Sequence, residues 1–437
     1  MKKLLFTVLC CIPILLSAQS NKYLIKAGQM FDSGNGTFVK GCFILVSGNK
    51  IIEVKKEQEL TDKERADYTL LDLSGYTVLP GLIDAHTHLL FREELKPHMD
   101  YSAQSLLKTL TMEGDAYRAI YGTVRANAYL QEGITAVQDL GNSGQFADIA
   151  LMNAIDNGLV PGPRMRSSGP GLASEGGQLP GVIYKHRHLA DDEYRIVNGR
   201  DEIIKAVREN VNQGATVIKI FADNVPNRTS LSVQEMESAV KEAHRYGLRV
   251  TAHATDAESI HNAVLAGVDG IEHGYNVQDS TLQLMAKRGV ILVPTDGDST
   301  VMANYARIAY PGEDSSADMA SYLKRLAKRL NRAIKMGVTI AAGSDDYIDV
   351  NLPYGLPSKH TLIGYHEAGV SIPDVLKFAT VNAAKQLNWE KRIGIIRKGY
   401  LADIIAVDIN LENDINSILQ VHFVMKDGVI YKGGKPI

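Results

Sequence analysis

Leu79-Pro80-Gly81-Leu82-Ile83-Asp84-Ala85-His86-Thr87-His88 is a short apolar run that ends in two histidines two residues apart. On an extended strand, positions i and i+2 face the same side, so both imidazoles point one way. Runs of the same kind recur along the chain, each followed by a longer stretch of helical periodicity. Eight can be marked, at 77–85, 135–138, 164–168, 216–221, 249–252, 270–272, 290–293 and 338–342. Helical patterns lie between them, as at 201–213, 232–246, 257–266 and 317–336. This alternation predicts an α/β chain whose middle, 80–388, closes as a (β/α)8 barrel. A doubly wound open sheet is the alternative. No Gly-rich dinucleotide fingerprint follows an early strand, which counts against it.

The flanks read differently. Residues 23–27, 42–46 and 50–54 are short β-prone runs, divided by Ser33-Gly34-Asn35-Gly36 and Ser47-Gly48-Asn49. Strand-like runs return at 403–407 and 421–425, and Lys426-Asp427-Gly428 marks a tight turn before 429–431. The two ends, 19–79 and 389–437, are therefore expected to build one small β-sandwich domain beside the barrel.

Residues 1–18 have the pattern of a secretory signal peptide. Lys2 and Lys3 precede an apolar run from Leu4 to Leu16, and Ser17-Ala18 supplies small residues before a cut ahead of Gln19. The expectation is an exported chain, periplasmic or secreted, with no membrane span after the signal is removed. Of the 3 cysteines, Cys10 and Cys11 lie in that segment, so Cys42 alone remains and no disulfide framework is expected. A composition of 45% hydrophobic and 22% charged residues excludes a largely disordered chain. With a net charge of −3 and no basic stripe, nucleic acid is not an expected partner. A homo-oligomer stays open.

A barrel carries its chemistry where strands end and loops begin. His86 and His88 end the first strand, and neutral imidazole is a good ligand for zinc and similar ions. In the fourth strand, Thr216-Val217-Ile218-Lys219-Ile220-Phe221, Lys219 interrupts an apolar run. Burial disfavours its charge, and a free amine can add carbon dioxide to give a carbamate able to bridge two cations. His253 ends the fifth strand, His273 the sixth, and Asp345 follows the eighth. Each has an ordinary structural reading: a hydrogen-bonded histidine, a lysine at a strand edge, an aspartate capping a helix. What those readings leave unexplained is that all six residues fall at the same end of strands one, four, five, six and eight.

The chain resembles the amidohydrolase superfamily. Within it, the chain is similar to the imidazolonepropionase-like group that includes metal-dependent Xaa-Pro dipeptidases. The resemblance covers nearly the whole mature chain. It rests on 79–88, on Val217-Ile218-Lys219-Ile220, His253-Ala254-Thr255-Asp256, Gly270-Ile271-Glu272-His273-Gly274 and Ala342-Gly343-Ser344-Asp345, and on 379–384 and 398–403. It implies two divalent metal ions, zinc first among the candidates. The implied ligands are His86, His88, carboxylated Lys219, His253, His273 and Asp345. His86, His88 and Asp345 would hold the more buried ion, His253 and His273 the other, and Lys219 would bridge them. Asp345 would also take the proton from the attacking water and give it to the leaving amine. The implied substrate is a small molecule: a dipeptide, an N-acyl amino acid or a cyclic amide.

The substrate residues are harder to read. The group places a histidine near Gln178, where this chain has an amide side chain. Peptidase members hold a substrate carboxylate with basic or tyrosine groups from the loop after the fourth strand, and Arg228 lies there. Tyr347, Tyr354 and His360 lie in the segment after the eighth strand. Three further readings remain: a cyclic-amide hydrolase, a single-metal deaminase, and a binding protein with a dead site. Deaminases lack the strand-four lysine and carry Glu where this chain has Asp256, and no ligand is missing as a dead site would require.

Overall fold

Lys22–Asp32 is buried mainly along one face, while Cys42–Ser47 is buried on both, with Ile44 and Val46 on one side and Phe43 and Leu45 on the other, so the two strands pair inside a sheet. The computed structural model describes residues 21–97, 101–179, 181–225 and 227–433. The segment 1–18, expected to be a signal, lies outside these residues. Both chain ends enter one eight-stranded sheet, in the order Val429–Lys432, Val421–Lys426, Ile404–Asp408, Thr69–Pro80, Lys22–Asp32, Cys42–Ser47 and Lys50–Lys56, with Thr37–Lys40 paired to Lys22–Asp32. The ends meet where Leu79 pairs with Ile405 in antiparallel register. The sheet then curls over its own apolar face. The backbone N–H of Ile51 donates to Tyr400 O (2.9 Å) and that of Ala402 to Asn49 O (2.9 Å), joining the Lys50–Lys56 edge to the segment just before Ile404–Asp408. Ile25, Ile44, Phe423 and Met425 fill the enclosed core. Burying a side chain of this size contributes about 1.5–3 kcal/mol.

The barrel follows. Its strands are Leu82–Thr87, Ile134–Asp139, Arg164–Ser167, Ile218–Phe221, Val250–Ala254, Gly270–His273 and Ile291–Val293, all in parallel register with their neighbours where they pair. The expected strand at 77–85 divides at Gly81: Thr69–Pro80 belongs to the flanking sheet and Leu82–Thr87 opens the barrel. A Cβ at Gly81 would lie 2.0 Å from Thr135 Oγ1, so only glycine permits this junction. The expected eighth strand, 338–342, forms a single bridge, Ile340 to Leu292, rather than a full strand. It still closes the ring: Ala341 N–H donates to Leu292 O (3.0 Å) and Ala85 N–H to Ala342 O (2.8 Å).

Helices cover the outside, among them Asp115–Gln131, Ala147–Asp156, Arg200–Gln213, Val233–Arg245, Ala257–Ala266, Asp279–Arg288 and Ser316–Lys335. Local sequence starts them. Ser232 and Glu235 form a reciprocal capping box, and Asp256 accepts from the N–H groups of Glu258 and Ser259 (2.9 and 3.0 Å). Among the described residues, no helix is long and apolar enough to cross a membrane.

Candidate metal centre

All six candidate ligands line one cavity of about 580 Å3 at the loop end of the barrel. Register explains how they meet. Lys219 pairs with Thr251, and Phe221, His253 and Glu272 stand side by side across three strands. Lys219, Thr251, His253 and Glu272 therefore share one face. His273 is one residue further on and would point the other way. A left-handed backbone (φ 68°) takes it out of the strand, and its ring packs 4.6 Å from that of His253 and 5.2 Å from that of His86. Asp345 (φ 55°) and Thr295 (φ 56°) are also left-handed. Such a backbone is costly for any residue but glycine and persists where surrounding structure enforces it.

The hydrogen bonds decide which ring nitrogens carry lone pairs. His88 Nδ1 lies 2.8 Å from the carbonyl oxygen of Gly141, which can only accept, so Nδ1 carries the proton. His86 Nδ1 donates to Glu272 Oε2 at 2.6 Å. The Thr295 hydroxyl donates to Pro294 O (2.7 Å), so at 2.8 Å it accepts from His273 Nδ1. In all three rings the free lone pair is on Nε2. His253 is less constrained. Its Nε2 lies 3.2 Å from Asp223 Oδ1, which would accept a proton from it, and 3.0 Å from the Gln178 amide nitrogen, which can only donate to it, so these two contacts pull its tautomer in opposite directions.

The lone pairs of His86 and His88 converge. His86 Nε2 and His88 Nε2 lie 3.2 Å apart, and Asp345 Oδ1 is 3.4 Å from the first and 3.1 Å from the second. His86, His273 and Asp345 each present a ligand atom within 4.8 Å of the others. This trio straddles the two groupings expected from the sequence, so the ligands form one continuous cluster. An assembly of unprotonated nitrogens around a carboxylate is electron-rich with no proton to share, and a divalent cation is the group that fits it.

Electrostatics agree. Burial, reinforced by Lys219, holds His86 well below the usual histidine range, and burial with the neighbouring imidazoles does the same for His273. Both rings are neutral near pH 7. Lys219 is 1% exposed, and burial lowers its pKa against the pull of Glu272 and Asp345. Burial pushes the Asp345 carboxyl up, and positive charge on His86, His88 and Lys219 pulls it down, below the ordinary aspartate value when those groups carry protons.

The residues around the ligands sort the remaining expectations. Gln178 and Tyr347 line the cavity. Arg228 is exposed and is not among the lining residues, which include no arginine among those described. Tyr354 is also outside it: its hydroxyl is 3.1 Å from that of Tyr121, and its ring packs 5.1 Å from the Arg125 guanidinium. His360 is buried against Asp298 at 2.6 Å. Sequence reasoning assigned no role to Glu272, Asp223 or Thr295, which orient three of the four histidines. Glu272 carried a signal, a carboxylate on the same face as Lys219 and His253 in a buried strand. Asp223 and Thr295 carried none, since only tertiary contact brings them to the rings.

Known proteins share this architecture. The sequence pattern of the amidohydrolase family matches residues 77–431. Ochratoxinase of Aspergillus niger is 28% identical over 452 aligned positions, covering 96% of this chain and 89% of its own. Imidazolonepropionase of Symbiobacterium thermophilum is 25% identical, covering 84% of each. A solved Xaa-Pro dipeptidase with methionine in its active site superposes with a TM-score of 0.79 at 29% identity, over 94% of this chain and 100% of that one. With a family match over most of its length and a ring of histidines, lysine and aspartate at the barrel mouth, the chain belongs to the amidohydrolase family.

Proposed function

We propose that this chain is a two-metal hydrolase of amide and peptide bonds, of the dipeptidase or carboxypeptidase type, with zinc as the first metal to test. The observation that carries the reading is the convergence of His86 Nε2, His88 Nε2 and Asp345 Oδ1 within 3.4 Å. His86, His88, His253, His273, Asp345 and carboxylated Lys219 would hold the ions. When bound, divalent ions supply Lewis acidity, a polarised carbonyl and a water acidic enough to attack at neutral pH.

The chain's own residues do the rest. Asp345 sits on the cavity wall with its carboxyl held ionised, so it accepts a proton from the attacking water and passes it to the leaving nitrogen. Glu272, Thr295 and Gly141 O fix the imidazole tautomers that this geometry needs. The deaminase alternative needs a proton carrier near Asp256. That carboxylate instead caps Ala257–Ala266 and accepts from the Ser259 hydroxyl at 2.7 Å. The signal-like segment 1–18 is the ground for assigning the enzyme outside the cytoplasm, and the first residue of the mature chain, expected at Gln19, tests that assignment.

The test is a screen of zinc-loaded protein against dipeptides, N-acyl amino acids and cyclic amides. Hydrolysis of open-chain amides supports the reading. Turnover confined to cyclic amides selects the imidazolonepropionase-like alternative, and no turnover of any of them contradicts both.

A further inference from the structure

A second cavity of about 410 Å3 opens on the other side of Asp345. It shares Tyr275, Asp345 and Tyr347 with the metal cavity, so the two adjoin at these residues. Its volume falls in the range of about 300–1,000 Å3 usual for small-molecule pockets. Val301, Met302 and Tyr305 of helix Ser299–Ala309 line it, together with Ile348 and Val350.

Three polar side chains that line the pocket, besides Asp345 and the tyrosines, are turned to partners of their own. Asp346 is paired with Arg125 at 3.7 Å and accepts from the Tyr129 hydroxyl at 2.9 Å. The Ser344 hydroxyl donates to Asp84 (2.6 Å) and that of Thr295 to Pro294 O. No lysine or arginine is among the described lining residues. Away from Asp345, what the lining offers a guest is mainly apolar and aromatic surface. Val301, Met302 and Tyr305 are only half-buried, although they face inward from a helix packed on the barrel.

We propose that this cavity receives the substituent on the leaving nitrogen, and that the enzyme prefers amides whose amine half carries a large uncharged aromatic or branched aliphatic group. The assignment to the amine half rests on the proposed hydrolase reading. There Asp345 must reach the leaving nitrogen, and Asp345 is the residue common to the cluster and this pocket. Met302 lines the pocket from helix Ser299–Ala309, so enlarging it is the direct way to reduce the space for that group.

The experiment has two arms on the full metal-loaded chain. The first measures kcat/KM for N-acetyl derivatives of 2-naphthylmethylamine against methylamine, and of phenylalanine against glycine. The larger member of each pair is expected to be better by about tenfold or more, and Met302→Trp is expected to reverse that ratio. Val301→Phe, a smaller filling, serves where the tryptophan variant does not fold. A ratio unchanged by either filling overturns the proposal. The second arm measures binding of the uncharged product analogue 2-naphthalenemethanol by its fluorescence. Binding lost in the filled variants supports the pocket even if no amide turns over, in which case only the hydrolase reading falls. Absence of binding to the parent chain overturns the pocket, while turnover of the small amides would leave the hydrolase reading in place.

Discussion

His86 Nδ1 lies 2.6 Å from Glu272 Oε2, and both side chains are fully shielded from solvent. Glu272 also accepts from the Thr251 hydroxyl, and burial pushes its carboxyl up to about 7. This contact fixes which His86 nitrogen faces the cluster. Glu272→Gln keeps the shape but replaces a carboxyl group, either oxygen of which can accept, with an amide that can present its NH2 end to His86. Loss of such an orienting partner costs about 10–100-fold in metal affinity. Chelator competition with zinc is expected to show a loss of that size. An unchanged affinity would mean that the tautomer is set elsewhere.

Lys219 decides between one ion and two. Its burial lowers its pKa, so the neutral amine that carbon dioxide requires is accessible. Metal analysis is expected to give two ions per chain, falling to one or none in Lys219→Met. Protein equilibrated with carbon-13 bicarbonate is expected to show a carbamate carbon signal that is absent from the variant. Two ions retained without Lys219 would remove it from the ligand set.

Arg125 ties the loop after the first barrel strand to the loop after the eighth. It donates to the carbonyls of His88 (3.0 Å), Phe91 and Asp346, and is buried. Arg125→Met leaves the Asp346 carboxylate with Tyr129 as its remaining partner. Breaking a buried pair from one side costs about 3–5 kcal/mol, which urea denaturation will measure. A loss under about 1 kcal/mol would place the pair with exposed ion pairs.

Asp148 gives a pH dependence away from the cluster. Burial, then the charge of Asp139, pushes its carboxyl up to about 7. The unfolded value is about 3.9, so between those limits the folded chain holds the proton that the unfolded chain has released. Stability from this group is therefore present at low pH and lost as pH rises through that window. Asp148→Asn cannot ionise. Its stability relative to the parent is expected to improve from pH 5 to pH 8, by on the order of 1 kcal/mol per pH unit inside the window. A difference constant across that range would contradict the assignment.

Much of this was legible because the barrel's chemistry interrupts apolar strands. Lys219 within Ile218–Phe221 and the histidines ending the neighbouring strands stand out against an apolar background. The places where the sequence misled are those set by distant contacts. Tyr354 follows the eighth strand as a wall residue would, but Tyr121 and Arg125 on Asp115–Gln131 hold it aside. Arg228 is in the right loop, and nothing local reveals that its side chain faces solvent. The division at Gly81 depends on Asp403, 322 positions later, whose carbonyl accepts from the Gly81 N–H at 2.9 Å.

The central claim is that a metal cluster and the Asp345 carboxylate together cleave an amide. Asp345→Asn tests it most directly, with metal content and turnover measured on the same zinc-loaded sample. The account predicts that most of the metal remains and that kcat on the best open-chain amide falls by about 100-fold or more. Full metal content with undiminished turnover would contradict it.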